Sequence, residues 1–424
     1  MKLPKLLAVA ALALALSGAT SSAQDAPTFT PEGYEAVEGR WPADKANAWY
    51  DALPWLVGAN YYPHTAINAI EMWQASTWDP DTIAMELDLA ESIGMNTMRV
   101  YLHDLVWADD AEGLYERMDA FLAMCDERGI KPFFVFFDDC HYPTPKLGEQ
   151  PLPVKEWHNS GWVNSPGRDL ALRYANGEAS EEEVANLKGY VQETMRRFSD
   201  DDRVLMWELY NEPGRGNSTG EDMTGTAMQG RDVSIGDQSN QLLHDSFVWA
   251  REVAPTQPVC ATSAGSLGDM NIAIARANSD VQSIHSYEPP QGMRRLIADY
   301  KRDGRPLLMT EWLARTRGNT VEDNLPILKR QGVAAINWGF VIGKTETHYP
   351  WSSRRRDQSL SELREAGEVI REGDPIPEPE LWFHDLFRAD GTPFSEEEIA
   401  IFKRLTGVEK GEPAFEKAEP AMNE

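Results

Sequence analysis

Two glutamates stand out by what precedes them. Glu212 closes the run Met206-Trp207-Glu208-Leu209-Tyr210-Asn211-Glu212-Pro213, and Glu311 closes Pro306-Leu307-Leu308-Met309-Thr310-Glu311-Trp312. Each apolar run reads as a buried strand, so each carboxyl stands at a strand's C-terminal end. Two carboxyl groups about 5–5.5 Å apart can open a glycosidic bond with retention, one protonating the leaving oxygen and the other attacking the anomeric carbon. The first must hold its proton near neutrality, which burial beside a second carboxylate favours. The second must stay ionised, which a neighbouring arginine favours. Asn211-Glu212-Pro213 by itself could equally start a helix, with Asn as cap and Pro in the first turn. The weight therefore falls on the elements around the pair.

Those elements alternate. Trp55 to Tyr61 reads as a strand, and Asp79-Pro80-Asp81 opens a helix whose apolar positions are Ile83, Leu87, Ala90 and Ile93, closed by Gly94. Thr97 to Leu102 is a second strand, Leu114 to Arg128 a helix, and Pro132 to Phe137 a wholly apolar third strand. Ser180-Glu181-Glu182-Glu183 is a capping box that starts the next helix. Five more strands follow: Val204 to Leu209, Pro258 to Thr262, Val281 to His285, Pro306 to Thr310 and Val333 to Trp338. Short strands without polar alternation are buried on both faces and hence parallel. Eight βα units predict an α/β fold of the closed (β/α)8 TIM barrel type over 53–351. An open doubly wound sheet is the alternative, but no Gly-rich phosphate turn follows any strand.

At this point the chain resembles a known group. A fourth strand ending in Asn-Glu-Pro and a seventh ending in Glu-Trp are similar to the clan of retaining (β/α)8 glycosidases that includes glycoside hydrolase family 5, over roughly Trp55 to Trp351. The resemblance implies Glu212 as acid/base and Glu311 as nucleophile. It implies Asn211 on the sugar 2-hydroxyl, Arg99 steadying the nucleophile, His285 and Tyr287 lining the site with the tyrosine bonded to Glu311, and Trp338 as the floor under the sugar. Physical reasons stand beside it, since Arg99 would favour an ionised Glu311 and Trp338 offers a flat apolar face to a pyranose. Singly, Arg99 could be a structural ion pair and Trp338 a core residue. Their order along strands two, four, six, seven and eight carries the reading.

Other positions are candidates by place alone. His103 follows strand two, and Asp138, Asp139 and His141 end strand three; His103, Asp139 and His141 are expected to reach substrate. Glu208 shares the side of Glu212 by the strand period and is expected deeper, as a hydrogen-bonded structural acid. Tyr61 and Tyr62 are wall or packing residues. Trp107, Trp157, Trp162, Trp312 and Trp351, among 14 tryptophans, fall in or beside strand-following loops, where some would serve as stacking platforms. Two of those loops, roughly Asp138 to Arg168 and Gly214 to Gly236, are long and lie on the face where barrel sites are built.

The remaining features bound the function. Residues 1–23 carry a basic start, a short apolar run and small residues ending in Ala23, the pattern of a secretory signal peptide. Secretion or a periplasmic location follows, with no membrane association after cleavage. Residues 24–52 read as an irregular lead-in, 352–408 as an extension packing on the barrel with a helix from Ser395, and 409–424 as a disordered tail. The formal charge of −28 argues against nucleic acid and anionic lipid as partners. Cys125, Cys140 and Cys260 are expected as free buried thiols, although a Cys125–Cys140 bridge is conceivable. None of the 8 histidines has metal-ligand spacing, so neither metal nor cofactor is expected. A monomer acting on a β-linked polysaccharide or its oligomers is expected, β-glucan or xylan ahead of mannan. Arg315, Arg317 and the Arg354 to Arg356 patch are the only evident counterparts for uronic acids. The reading from another class is a non-catalytic glycan-binding protein on the same barrel.

Overall fold

The computed structural model describes residues 34–142, 144–214, 237–265, 268–355, 358–410 and 415. The proposed signal peptide, most of the second long loop and most of the C-terminal tail lie outside them.

The strands are β1 (Val57–Tyr61), β2 (Thr97–Tyr101), β3 (Phe133–Asp138), β4 (Trp207–Asn211), β5 (Val259–Cys260), β6 (Thr262–Ala264), β7 (Gln282–His285), β8 (Leu307–Glu311) and β9 (Ala334–Asn337). They form one parallel sheet in the order β5-β4-β3-β2-β1-β9-β8-β7-β6. The expected fifth strand is thus two short ones. Val259 and Cys260 pair with Trp207 and Glu208 on β4, while Thr262 pairs with Ser283 on β7. Ala261, between them, gives its N–H to the Ser279 side chain instead of a strand. The sheet's two ends therefore meet in one divided strand, and the fold is the (β/α)8 barrel with β7, β8 and β9 as its sixth, seventh and eighth strands.

Helix starts follow the sequence signals closely. Asp79 caps Pro80–Ser92 by accepting from the Thr82 N–H, and Gly94 takes the left-handed φ of 75° that ends the turn. Ser180 and Glu183 form the reciprocal capping box of Glu181–Phe198. Two expectations change. The helix expected from Leu114 starts earlier, at Asp104, and runs to Asp126 with a kink at Asp110. The lead-in is not wholly irregular, since Ala43–Asp51 is helical.

The barrel interior is layered. Leu56, Phe133, Leu205, Met206, Cys260, Val281, Leu308, Ala334 and Ile336 form an apolar plug at the strand starts, and Trp49, Tyr50 and Leu53 of the lead-in pack against it. Burying each large apolar side chain there contributes about 1.5–3 kcal/mol. Toward the strand ends the interior turns polar: Asn60, Arg99, Glu208, Thr262, Ser283 and Thr310 are fully buried and hydrogen-bonded to one another or to strand carbonyls. That polar layer is the base on which the site stands.

The chain after β9 folds back over the same end of the barrel. Arg315, just after β8, is buried and pairs with Glu398 at 2.6 Å and with the backbone of Asp385 at 3.0 Å. The helix Glu396–Thr406 lies against Val321–Arg330. Cys125, Cys140 and Cys260 are buried and unbridged.

Candidate active site

Arg99 organises the site from below. Its Nε and Nη2 donate to the two oxygens of Glu208 at 2.9 and 2.7 Å, the bidentate geometry that suits a guanidinium. Nη2 also reaches Asn211 Oδ1 at 2.7 Å, and Nη1 reaches Asn60 Oδ1 at 2.7 Å and Glu311 Oε1 at 3.0 Å. Burying a guanidinium is costly unless every donor is satisfied. Here that satisfaction ties β1, β2, β4 and β8 together, with Glu208 as the structural acid expected from its spacing.

Glu311, at the end of β8, receives two further donors, both hydroxyls, and stands close to a histidine. The Tyr101 hydroxyl lies 3.3 Å from Oε1, the Tyr287 hydroxyl 2.7 Å from Oε2, and His285 Nδ1 3.3 Å from Oε2. Burial pushes the Glu311 carboxyl above its ordinary value and the Glu212 carboxylate adds to that, against the pull of His285, Arg99 and Tyr287. Glu212, just past β4, has a different environment. His285 Nδ1 lies 2.8 Å from its Oε1, and the Cys140 thiol donates to Oε2 at 2.8 Å. Its φ of 43° is left-handed, a conformation that costs a non-glycine residue about 1–3 kcal/mol and turns the side chain off the strand direction. Across from it, Gly265 has φ 114°, and a Cβ there would stand 2.7 Å from Glu212 Oε1. Only glycine leaves the carboxyl its place.

Oxygens of Glu212 and Glu311 and a ring nitrogen of His285 lie within 4.8 Å of one another. With one oxygen of each carboxyl inside that limit, the pair is close enough for the spacing of about 5–5.5 Å that retaining displacement uses. Among the described residues the same three atoms are the one group that could also hold a metal ion. A dication would then sit beside the fixed charge of Arg99, 3.0 Å from Glu311, a poor electrostatic fit. Glu212 opens into a cleft of about 600 Å³ walled by His285, Tyr287, Glu288, Arg295, Arg317 and Trp351 among others.

Glu212, Glu311, Arg99, Asn211, His285 and Tyr287 are therefore brought together as expected. Asn211 is clamped, its Oδ1 on Arg99 and its Nδ2 donating to Asp138 at 2.8 Å, and Nδ2 carries a second hydrogen for another acceptor. Trp338 is 6% exposed, packed edge-on to Tyr101, Tyr62 and Trp162 at 5.9–6.3 Å, so most of its surface serves packing.

Three of the expected contact residues have other partners in the structure. His103 caps the helix that follows β2: its Nδ1 accepts the Leu105 N–H at 3.2 Å and its Nε2 pairs with the Asn164 carbonyl at 3.0 Å. Asp139 is buried and accepts from Tyr210, Ser239 and the Gly214 N–H, which anchors the base of the second long loop. His141 has φ 76°, which swings its ring away from the strand direction, and its Nε2 accepts from Arg354 at 2.7 Å. Trp157, Trp162 and Trp312 are buried packing residues, whereas Trp351 lines the cleft. Of the arginines, Arg315 is buried in the extension, and Arg317 lines the cleft but pairs with Glu288 at 3.0 Å.

Tyr101, Asn60, Cys140 and Gly265 went unread as site residues. Tyr101 was within reach, because it lies two residues after Arg99 and so shares its face of β2. Cys140 and Gly265 carry no local signal.

A buried pair of glutamates at the ends of the fourth and seventh barrel strands, asymmetrically held beside a cleft, defines the class: a (β/α)8 barrel equipped for retaining displacement at a glycosidic carbon. The family comparison agrees. The model described as Cellulase (glycosyl hydrolase family 5) matches residues 59–341. The chain belongs to glycosyl hydrolase family 5, whose members are retaining O-glycosyl hydrolases. Among solved structures the fold is similar to an exo-β-1,4-mannosidase of Opitutaceae bacterium strain TAV5, at 18% identity and TM-score 0.51, over 84% of this chain and 60% of that one. It is also similar to a GH5_18 protein of Streptomyces cattleya in complex with Manβ1-4GlcNAc, at 14% identity and TM-score 0.51, over 87% and 83% of the two chains. No curated protein matches the sequence at a significant level.

Proposed function

We propose that this chain is a secreted or periplasmic retaining glycoside hydrolase with Glu212 as general acid/base and Glu311 as nucleophile. One observation carries the assignment, the unequal company of the two carboxyls. Glu311 meets a guanidinium at 3.0 Å and a phenol at 2.7 Å, both of which favour its ionised form. Glu212 meets instead His285 Nδ1 at 2.8 Å and the Cys140 thiol at 2.8 Å, and the proton for the leaving oxygen is assigned to it.

In the first step the Glu212 proton passes to the leaving oxygen while a Glu311 oxygen bonds to the anomeric carbon and the C–O bond breaks. The departing fragment leaves as an alcohol and the sugar stays as an ester on Glu311. In the second step the Glu212 carboxylate takes a proton from water, the resulting hydroxide oxygen bonds to the anomeric carbon, and Glu311 is released as carboxylate. Arg99, Tyr101 and Tyr287 hold Glu311 in line, and the second N–H of Asn211 is placed for the sugar 2-hydroxyl.

For substrate, β-1,4-mannosides of oligosaccharide or polysaccharide are placed first and β-glucan and xylan next, which reverses the order suggested by sequence. The support is the likeness in fold to an exo-β-1,4-mannosidase and to a protein in complex with Manβ1-4GlcNAc. Incubation with 2-deoxy-2-fluoro-β-mannosyl and β-glucosyl fluorides, followed by peptide mass mapping, should place a covalent sugar on Glu311. An adduct on another residue would overturn the roles. Hydrolysis of glucan or xylan but not of β-mannan and β-manno-oligosaccharides would overturn the substrate order. Recovery from the secreted or periplasmic fraction with a mature N-terminus just after Ala23 tests the localisation.

A further inference from the structure

The turn after β3 holds more than a strand end. Asp138 accepts the Asn211 Nδ2 hydrogen at 2.8 Å and the Cys140 N–H at 2.8 Å on the same oxygen, and the Trp162 indole N–H at 2.6 Å on the other. One carboxyl thereby sets both Asn211, the residue before Glu212, and Cys140 in a single frame. From that frame the Cys140 Sγ reaches Glu212 Oε2 at 2.8 Å, while His285 holds Oε1 at 2.8 Å from the opposite side. Glu212 stands on left-handed backbone, off the strand, so these opposed contacts define the plane of its carboxyl. Cys125 and Cys260 are fully buried among apolar neighbours.

We propose that the Asp138-anchored Cys140 is a positioning residue for the acid/base, its thiol donating to Glu212 Oε2 and favouring the ionised carboxylate that must activate water in the second step. The proposal rests on Glu212 being the acid/base. A thiol is a weak donor and adds no formal charge, so it steadies the carboxylate without keeping it from taking up a proton. Among the described residues, groups facing Glu212 include His285 from β7, Glu311 from β8, and Asp138 and Cys140 from β3 and its turn, with Arg99 of β2 acting through Asn211. Burial first, and Glu212 among the smaller causes, raise the Asp138 carboxyl to about 7. A cation in place of Cys140 would pin Glu212 ionised, and an apolar residue would leave Oε2 without this donor.

The test compares kcat/KM against pH for the wild type, Cys140→Ala, Cys140→Ser and, as control, Cys125→Ala. The substrates are 4-nitrophenyl and 2,4-dinitrophenyl β-mannosides, the second of which leaves without a proton. In Cys140→Ala the alkaline limb, set by loss of the Glu212 proton, should move up by about 0.5–1 pH unit. The loss of kcat/KM should be larger for the 4-nitrophenyl substrate, and Cys140→Ser should return the limb toward its original position. A second readout needs no turnover: the δ-carboxyl 13C resonance of Glu212, identified by its absence in Glu212→Gln, should titrate higher in Cys140→Ala by the same amount. A resonance and limb that stay in place or move down, with an unchanged unfolding midpoint, would overturn the proposal, as would a serine variant that behaves like alanine. Wild-type protein inert on every glycoside would instead count against the proposed function, and the titration would still decide the role of the thiol.

Discussion

Replacing Tyr287 by phenylalanine removes one atom that matters. The phenol donates to Glu311 Oε2 at 2.7 Å, whereas the ring's contacts with Trp351, at 5.0 Å and 89°, and with His384, at 5.5 Å, do not need the hydroxyl. Arg99 at 3.0 Å and Tyr101 at 3.3 Å stay on Oε1, so the carboxyl keeps its orientation but loses a donor from the attacking side. A hydrogen bond to a charged group is worth about 1.5–3 kcal/mol, and 1.36 kcal/mol corresponds to one pKa unit, so Glu311 should titrate about 1–2 units higher. The sign follows from the balance at the site. Burial and Glu212 already push this carboxyl up and Tyr287 is among the groups pulling it down, so without the phenol it protonates at higher pH. The acid limb of kcat/KM should move up by that amount, with a further loss at the plateau, up to about 10- to 150-fold, in proportion to how far the bond tightens in the transition state. The assay is kcat/KM for an aryl glycoside across the stable pH range, with unfolding midpoints to check the fold. Full activity in Tyr287→Phe, or lost activity with an unmoved acid limb, would refute the reasoning.

Exchanging either glutamate for glutamine should cost several orders of magnitude in turnover while leaving the fold intact. Glu212→Gln should recover first-step activity with dinitrophenyl leaving groups and add azide to the sugar with retained configuration, whereas Glu311→Gln should show neither; product NMR reads both. Arg99→Lys cannot reproduce the fork that joins Glu208, Asn211 and Glu311, and the imperfectly paired buried acids should lower stability by about 3–5 kcal/mol in denaturant titration. Gly265→Ala would place a methyl 2.7 Å from Glu212 Oε1 and 2.9 Å from His285 Nδ1 on backbone at φ 114°, so kcat/KM should fall at least about tenfold, more than thermal stability would suggest.

Much of the fold was legible because a strand buried on both faces must be apolar and a helix start must satisfy its free N–H groups. Asp79, Gly94 and Ser180 mark helix ends by chemistry confined to a few neighbouring residues, and the structure places those ends where the residues predict. The divided fifth strand was not legible. Its break at Ala261 depends on Ser279, an element away, taking the N–H. The lead-in helix Ala43–Asp51 escaped for a related reason, since Trp49, Tyr50 and Leu53 find their apolar partners only once the strand starts have gathered into a plug.

The site divides along the same line. Glu212, Glu311, Arg99, Asn211, His285 and Tyr287 were named from sequence because each sits at or just past the end of a buried strand, and in a parallel barrel all such ends share one face. His103, Asp139 and His141 occupy comparable positions, yet hydrogen bonds to Leu105, Gly214 and Arg354 commit them elsewhere. Strand position says that a side chain reaches the face, not which partner takes it there. By itself the sequence determined the barrel, its orientation and the two carboxyls, since these follow from local periodicity and residue type. Only the tertiary structure decided that Arg99 bridges Glu208 and Glu311, that Cys140 meets Glu212, and that Gly265 keeps that carboxyl's space. Those are distances between residues far apart in the chain, and closing the barrel is what makes them short.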